Sequence, residues 1–371
     1  MLAVEHNPAA QPLTDVRVLE IGGGIAAAFT TRLLMGYGAQ VLRSESDTRV
    51  PLTADEEIYL LAGKQRIDVS SPQLRALALA ADIVVEDRGP GELATLGLDP
   101  VELRRERPEL VIVSLSPFGQ SGPYATYQST NAVSFAMGGI MSLTGDLDHT
   151  PLLSGGSQAE FLGGYNGFAA ALTAYFGRLI QGEGDWIDSS LQEAAASMVE
   201  LYVVGTSYGM PVQLRMGNHV RAIWGVYPCA DGWAGAFCLE RQVPGLFACL
   251  ADPELEEPRF REALQRLEPQ NSEEMTAKMY GFFAGVTKAD LLELGPRYRV
   301  PFGVVLTPKD LLSSGGLVER GFFDELNMSG EAGPLRMPGR PFPGFGWSAA
   351  SKLSEPGADS GAALAAWGVS V

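Results

Sequence analysis

The chain has 371 residues, of which 46% are hydrophobic and 19% charged, enough for two hydrophobic cores or for one large core with an insertion. Its formal charge is −17, from 27 basic and 44 acidic residues, which disfavours nucleic-acid and anionic-membrane partners because both need a concentrated positive field. The first residues lack a basic, apolar leader, and the sequence has no apolar run of about 18 residues, which predicts a cytoplasmic protein outside the membrane. The 3 cysteines and 3 histidines have neither zinc-site nor disulfide spacing, so we expect free thiols and no metal.

The first part of the chain alternates strands and helices. After a flexible lead over residues 1–15, the buried strand Val16–Ile21 runs into three glycines, a helix over Ala26–Tyr37 and the strand Gln40–Arg43. Further strands are predicted over 66–69, 83–86 and 110–115, and helices over 72–81 and 100–106. This alternation predicts a doubly wound, Rossmann-like α/β domain. Its ligands should bind at the carboxyl ends of the strands, in the loops after Ile21, Glu86 and Leu115.

The glycine turn after the first strand has two interpretations. Gly22, Gly24 and Ala27, followed by Glu45, match the spacing of a dinucleotide fingerprint, in which glycines admit a pyrophosphate and the acid binds a ribose hydroxyl. A short fingerprint of this kind also matches many ordinary strand-to-helix turns. The sequence therefore leaves NAD binding and a plain tight turn open.

An isolated acid, Glu160, stands at the start of a helix predicted over Phe161–Phe176. This helix is rich in glycine and alanine, and each glycine lowers helix propensity by roughly 1 kcal/mol, so packing against another backbone or a ligand must compensate. An acid at a helix start is ordinarily a surface group stabilised by the helix dipole. Position alone thus leaves the role of Glu160 open, whereas Ser190 and Glu193 have the spacing of a capping box and are predicted to be structural.

The pattern changes near Trp224. Alternating residues around Asp231-Gly232 predict antiparallel strands, and charged helices follow over 241–294. We therefore divide the chain into a large domain over 16–215, a small α+β domain over 216–300, and a segment over 301–371 that returns to the large domain. This last segment begins with a strand over 301–306 and ends in a Pro/Gly-rich tail that either wraps over the protein or lies loose on its surface.

Several collinear motifs carry a resemblance to a known family: VLEIGGGIAAAFTTRLLMGYGAQVLRSE, IVVEDRGPGELATLGL, VIVSLSPFGQSGPY, AMGGIMSLTG, GEGDWIDSSLQEA and PFGVVLTPKDLL. From Val16 to Pro343 the chain resembles the class III coenzyme A transferases, whose relatives include formyl-CoA transferase, carnitine-CoA transferase and α-methylacyl-CoA racemase. The resemblance implies a Rossmann-like large domain built from both chain ends, with a smaller α+β domain inserted. It also implies a homodimer of two interlocked chains.

The resemblance also implies a reaction. Family transferases move CoA between carboxylic acids through an aspartate that attacks a thioester, and Glu160 matches that aspartate to within one residue. A glutamate carboxylate is also a competent nucleophile. The implied partner is a small acyl substrate, with a CoA thioester as substrate and no permanently bound cofactor. Gly163 and Gly164 would leave room for the thioester.

The implied CoA site is partly degraded. Gly23, Ile25 and Ala26 match the loop that lies along pantetheine and nucleotide, and Asp87 and Arg88 replace a usual Asn-Phe pair. Arg88 either meets adenine or a phosphate, or pairs with a neighbouring acid. Positions that are basic in formyl-CoA transferase match Ser46, Thr95 and Gln128 here. CoA binding would then need compensation from other basic residues, for which the candidates are Arg43, Arg49, Lys64 and Arg88.

Residues 128–131 lack the histidine and acid that racemisation needs, so a two-base racemase is disfavoured. Asn131 in this stretch, with Asn218 and His219 near the predicted domain junction, completes the candidate substrate loops. His219 is either substrate-facing or a solvated linker histidine. Three functions stay open: a CoA transferase, a relative acting on a non-CoA or carrier-bound acyl substrate with Glu160 as general acid or base, and an NAD-binding or non-catalytic Rossmann protein.

Overall fold

The structure, a computed structural model, describes residues 10–45, 52–218, 222–328, 333–348 and 352–370. Ser46, Arg49 and His219 lie outside the described residues. The chain divides into two compact units. The first comprises Met1–Met141, Leu153–Pro211 and Gly315–Val371, and the second comprises Ser142–Leu152 and Val212–Ser314.

The first unit is built on a parallel sheet of six strands. These strands are β1 (Arg17–Ile21), β2 (Gln40–Ser44), β3 (Gln65–Ile67), β4 (Ile83–Glu86), β5 (Val111–Ser116) and β6 (Trp186–Ser190). Their order is β3-β2-β1-β4-β5-β6, and every adjacent pair is parallel. All residues of β4 and β5 are buried, as expected for Val- and Ile-rich strands covered on both faces. The predicted doubly wound α/β fold is confirmed.

Helices cover both faces of this sheet. They are α1 (Ile25–Gly36), α2 (Ala54–Leu61), α3 (Ser71–Ala80), α4 (Glu92–Thr95), α5 (Pro100–Glu106), α6 (Asn131–Met137), α7 (Gln158–Gln181), α8 (Leu191–Ala196) and α9 (Glu200–Ser207). Alternate residues of each strand enter different cores: Val18 and Val85 pack with α1 and α7, whereas Leu19 and Val84 pack with α3 and α5. The sheet therefore separates two hydrophobic cores.

Helix α7 lies directly on α1 because its glycines allow close approach. A Cβ built on Gly164 would lie 2.9 Å from the carbonyl oxygen of Ala26, and one on Gly167 would lie 2.5 Å from Thr30 Oγ1. The Thr30 hydroxyl donates a hydrogen bond to the Gly164 carbonyl at 2.9 Å. Of the two explanations for the glycine-rich helix, the structure therefore shows packing against another backbone.

The second unit contains an antiparallel sheet and a set of short helices. Its strands are β7 (Gly225–Cys229), β8 (Gly232–Ala236) and β9 (Phe302–Val304), in the order β7-β8-β9. Its helices are α10 (Val243–Leu250), α11 (Pro258–Arg261), α12 (Ala263–Arg266), α13 (Pro269–Ala284), α14 (Lys288–Tyr298) and α15 (Pro308–Leu312). The strand predicted over 301–306 does not return to the large domain. It pairs with β8 instead, with Val304 opposite Ala234 and Phe302 opposite Ala236.

The tail packs on the first unit. It contains α16 (Gly315–Glu319), the antiparallel strands β10 (Phe323–Leu326) and β11 (Leu335–Pro338), and α17 (Ser360–Trp367). The indole of Trp347 contacts Gly36 of α1 where a Cβ would collide, and its Nε1 donates to Asp324 at 3.0 Å. Leu364 and Trp367 of α17 enter the core beside α3. The tail thus wraps over its own unit.

Cys229, Cys238 and Cys249 are free thiols, and the last two are buried. Across the described ranges, no helix combines the length and the apolar character needed to span a bilayer.

Candidate active site

One cleft of about 350 Å³ opens at the carboxyl edge of the parallel sheet. Its walls come from the glycine turn after β1, the loop after β4, the end of β5 and the segment 125–129. Loops that follow parallel strands meet at one edge, which is why segments distant in sequence converge here. The cleft thus forms where the sequence predicts a ligand site.

The carboxyl group of Glu160 lines this cleft from the first turn of α7. The packing of α7 on α1 fixes the helix axis, and Asn131 fixes its start. The Asn131 Oδ1 accepts the backbone N–H of Ala159 at 2.8 Å, and its Nδ2 donates to the Gly156 carbonyl at 3.2 Å. Asn131 therefore holds the turn that carries Glu160.

Glu160 is an unusually weak acid. Burial, and then the nearby carboxyl of Asp87, raises its pKa from 4.5 to about 7. A group with this pKa exchanges its proton near neutral pH, as a general acid or base must, and its deprotonated form is a basic carboxylate suited to nucleophilic attack.

Asp87 fills the space that the glycine turn provides. A Cβ on Gly22 would collide with its Oδ1, and one on Gly24 would lie 2.5 Å from its Oδ2. The Gly23 N–H donates to Oδ1 at 3.0 Å. Burial raises the pKa of Asp87, while the Gly23 amide acts in the opposite direction. A carboxyl group therefore occupies the place that a dinucleotide pyrophosphate would need.

The acid of the supposed dinucleotide fingerprint is also engaged elsewhere. Glu45 accepts hydrogen bonds from Arg43 Nε at 3.2 Å and from Arg66 Nε at 2.6 Å. Together with the position of Asp87, these contacts disfavour NAD binding at this turn.

Among the described residues that line the cleft, only Arg88 has a basic side chain. It is 5% exposed, and its backbone N–H donates to Glu86 Oε2 at 2.7 Å. Burial raises the pKa of Glu86 to about 8, although the hydrogen bond from Ser114 acts to lower it. Arg88 thus lines the cleft as a largely buried side chain beside the acid Glu86.

The structure does not bring Arg43 and Lys64 to the cleft. Both bind the buried carboxylate of Glu20 in the strand β1. Lys64 Nζ donates to Glu20, to the Ala28 carbonyl and to Thr31 Oγ1, each at 2.7 Å. Because a buried carboxylate must be paired, these two cations are committed to the core. They are therefore not available to a ligand in the cleft.

Glu20 was not identified as a site residue from the sequence. Burial alone would raise its pKa, but Lys64 and Arg43 lower it to about 2. Burial lowers the pKa of Lys64 to about 8. A signal existed, since Glu20 stands among the buried apolar residues Val18, Leu19 and Ile21, where an acid requires a partner.

The remaining candidates divide between the cleft and other places. Ala26 and Gln128 line the cleft, and Ile25 begins α1 beside them. Gly163 and Gly164 are buried: Gly163 packs on Leu191 and Gly164 on α1, so they do not leave the expected room for a thioester.

Two further candidates make local backbone contacts. The Thr95 hydroxyl donates to the carbonyl of Glu92 at 2.7 Å on the surface. Asn218, in the second unit, accepts the Val226 N–H at 2.8 Å and donates to the Val226 carbonyl at 2.5 Å. Sequence reasoning missed Glu92, Thr126 and Tyr127 as cleft residues.

A doubly wound α/β unit with a titratable carboxyl group in its strand-edge cleft is a layout that suits an enzyme. The profile of CoA-transferase family III matches residues 13–360, and the chain therefore belongs to this family. The chain is a transferase by class, and the resemblance read from the motifs is confirmed.

Similar proteins agree with this family assignment. Succinyl-CoA–D-citramalate CoA-transferase of Chloroflexus aurantiacus is 28% identical over 335 residues, covering 84% of this chain and 82% of the relative. Acetyl-CoA:oxalate CoA-transferase of Acetobacter aceti is 28% identical over 377 residues, covering 94% of each. The crystal structure of a CaiB/BaiF family protein from Brucella suis superposes with a TM-score of 0.83 at 25% identity, covering 96% of this chain and 99% of the other.

Proposed function

We propose that the protein moves CoA between two carboxylic acids, with Glu160 as the carboxylate nucleophile. One observation carries the proposal: in a chain of CoA-transferase family III, the Glu160 carboxyl group lines the cleft at the carboxyl edge of the sheet. Its placement by α7 and Asn131 supports a fixed reacting group.

The proposed reaction conserves all atoms and needs no external oxidant or reductant. A Glu160 oxygen attacks the thioester carbonyl of acyl-CoA, and the C–S bond breaks. The CoA thiolate departs, and the acyl group remains on Glu160 as a mixed anhydride. The thiolate then attacks the Glu160 carbonyl, which releases the first carboxylic acid and leaves a glutamyl-CoA thioester. The acceptor carboxylate attacks that thioester and forms a second anhydride. The returning thiolate converts this anhydride into the new acyl-CoA and free Glu160.

The charge of the cleft bears on the substrate. Asp87, Glu92 and Glu160 line it together with Arg88, so the net balance is acidic. Carboxylates repel the anionic phosphates of a nucleotide, whereas the guanidinium of Arg88 can offer them a charge-assisted hydrogen bond. We therefore propose Arg88 as the CoA-binding cation of this cleft.

A homodimer is part of the proposal. Helix α9 has no buried residue within the described chain, although it is largely apolar. The large exposed side chains of α9 are Leu201, Tyr202, Val203 and Val204, and Tyr208 directly after the helix is also exposed. A contiguous exposed apolar patch of this kind marks an interaction surface. A second copy of the chain, as the resemblance implies, is the proposed occupant.

A second candidate function is favoured by the pKa of Glu160. At about 7, this carboxyl group also suits a general acid or base that acts on a non-CoA or carrier-bound acyl substrate. In that case no covalent intermediate would form on Glu160.

The function is tested by pairing acyl-CoA donors with acceptor acids and following all acyl-CoA products by mass spectrometry. Succinyl-CoA and acetyl-CoA are the first donors, and citramalate, oxalate and glutarate the first acceptors, because the names of similar proteins contain these compounds. Formation of a new acyl-CoA that depends on both substrates supports the proposal. Hydrolysis alone with every pair, or turnover only of CoA-free acyl compounds, would favour the second candidate.

A further inference from the structure

We propose that Asp87 is a positioning residue for this reaction: its carboxyl group, fixed against the glycine turn after β1, faces Glu160 across the cleft and sets the pH range in which Glu160 can attack. This inference rests on the proposed function. It concerns a residue where the resemblance leads one to expect an asparagine.

The turn is shaped around the Asp87 carboxyl group. Gly22 has φ +124°, a conformation that favours glycine, and any side chain there would collide with Asp87 Oδ1. Gly24 is similarly restricted by Oδ2, and the Gly23 N–H donates to Oδ1 at 3.0 Å. These contacts leave the carboxyl group little freedom. Its position is a built feature of the cleft.

The same turn is also where Glu160 is held. Ala26, directly after the turn, lines the cleft, and its carbonyl is in contact distance of Gly164 in α7. Glu160 lies one helical turn before Gly164 and lines the same cleft as Asp87. The packing of α7 on α1 therefore brings both residues to one cleft.

Among the described residues, no cation contacts both Asp87 and Glu160. Two charged side chains act on Asp87 from neighbouring strands: Glu20 of β1 and Arg43 of β2. Arg43 is itself bound to Glu20 and Glu45. Asp87 Oδ2 is buried and has no close hydrogen-bond partner within the described ranges, and the backbone N–H of Ala27 lowers the pKa of this carboxyl group only as a minor cause after burial. The other charged groups near Asp87 are Glu160 from α7, Glu86 and Arg88 on its own segment, and Glu92 of α4.

The charge of one carboxyl group disfavours ionisation of another in the same cleft. After burial, the charge of Asp87 is the cause that raises the pKa of Glu160. A nucleophilic carboxylate must be deprotonated, so transfer should be lost as the pH falls through the pKa of Glu160. Removing the Asp87 charge lowers that pKa and extends activity to more acidic conditions.

The test is the pH profile of kcat/KM for the wild type, Asp87→Asn and Glu92→Gln, with the thermal unfolding midpoint of each measured at every pH. Asp87→Asn keeps the shape of the side chain and can still accept the Gly23 N–H. Its acid limb is expected to move to lower pH by roughly one unit, the order of effect of one adjacent charge. Glu92→Gln removes a carboxylate of the same cleft whose Oε2 accepts the Gly89 N–H at 3.1 Å, and it should move the limb less.

Each outcome decides between the inference and the function on which it rests. An acid limb that shifts more in Asp87→Asn than in Glu92→Gln supports the inference. An unchanged limb, a uniform loss of activity at every pH, or an equal shift in Glu92→Gln would overturn it, while a covalent adduct trapped on Glu160 in the same samples would leave the proposed function standing. Absence of both the adduct and transfer in the wild type would overturn the proposed function itself.

Discussion

The side-chain oxygen of Asn131 accepts the backbone N–H of Ala159 at 2.8 Å, and so ties the start of α6 to the residue that precedes Glu160. The first N–H groups of a helix have no partner within the helix, so this contact satisfies one of them. The same side chain donates to the carbonyl of Gly156. One asparagine thus fixes both the loop before α7 and its first turn.

Asn131→Ala is expected to lower kcat/KM about tenfold, because it loosens the position of the reacting carboxyl group. Loss of the capping contact should also reduce the free energy of unfolding by about 1 kcal/mol. Steady-state kinetics and chemical denaturation check the two effects. Asn131→Asp keeps the acceptor for Ala159 and loses the donor to Gly156, so its kinetic defect should be smaller. Equal activity of Asn131→Ala and wild type would contradict the positioning role.

The buried ion cluster at Glu20 should dominate stability at the centre of the sheet. Glu20→Gln leaves Lys64 without a carboxylate partner and Arg43 with Glu45 alone, and breaking a buried pair in this way typically destabilises a protein by about 3–5 kcal/mol. Glu102→Gln removes an exposed acid and should change stability by less than about 0.5 kcal/mol. Urea denaturation of both variants at neutral pH measures the difference.

The same cluster predicts a pH dependence. The folded-state pKa of Glu20, about 2, lies below its ordinary value of 4.5, so its contribution to stability is complete above pH 4.5 and is lost as the pH falls toward 2. The stability difference between wild type and Glu20→Gln should therefore shrink over this window. A difference that stays constant from pH 5 to about pH 2 would contradict the pairing.

Glycine in α7 should be required only where the helix meets its neighbour. Gly164→Ala places a methyl group 2.9 Å from the Ala26 carbonyl oxygen and should cost about 1–3 kcal/mol, even though alanine favours the helix. Gly177→Ala, on the same helix and without a neighbour within 4 Å, should stabilise it by about 0.5–1 kcal/mol. Thermal unfolding of the two variants compares them directly. Stabilisation by both substitutions would contradict the close contact of α1 and α7.

Much of this fold can be predicted from local pattern. The apolar runs of β1, β4 and β5 and the glycine that follows β1 determine a parallel sheet with loops at one edge, and those loops do line one cleft. Helix α2 was missed, although Thr53 and Glu56 form a capping box that the sequence displays.

The rest depends on long-range pairing, which local pattern does not contain. Residues 301–306 read equally well as a strand of either sheet, and only the partner β8 decides between them. Arg43 and Lys64 looked available for phosphates because the burial of Glu20, which recruits them, follows from the whole core. Gly163 and Gly164 likewise look like space for a ligand until α1 and Leu191 are seen to occupy it.

The exposed apolar face of α9 predicts a homodimer. Light scattering at micromolar concentration should give the mass of two chains, and Leu201→Glu with Val204→Glu should shift the protein toward monomer because charges would be buried at the interface. Leu264→Glu, at a similarly exposed leucine in α12, is the matched control and should leave the mass unchanged. A stable folded monomer of the wild type would contradict the dimer.

The covalent role of Glu160 is tested most directly by trapping. Incubation with an acyl-CoA donor followed by hydroxylamine or borohydride should modify the peptide that contains Glu160, as detected by mass spectrometry, because an anhydride or thioester on its carboxyl group reacts with both reagents. Glu160→Gln should show neither the modified peptide nor CoA transfer, while unfolding at the same temperature as the wild type. Full transfer activity in Glu160→Gln, or an unmodified Glu160 peptide in a wild-type enzyme that is turning over, would contradict the account.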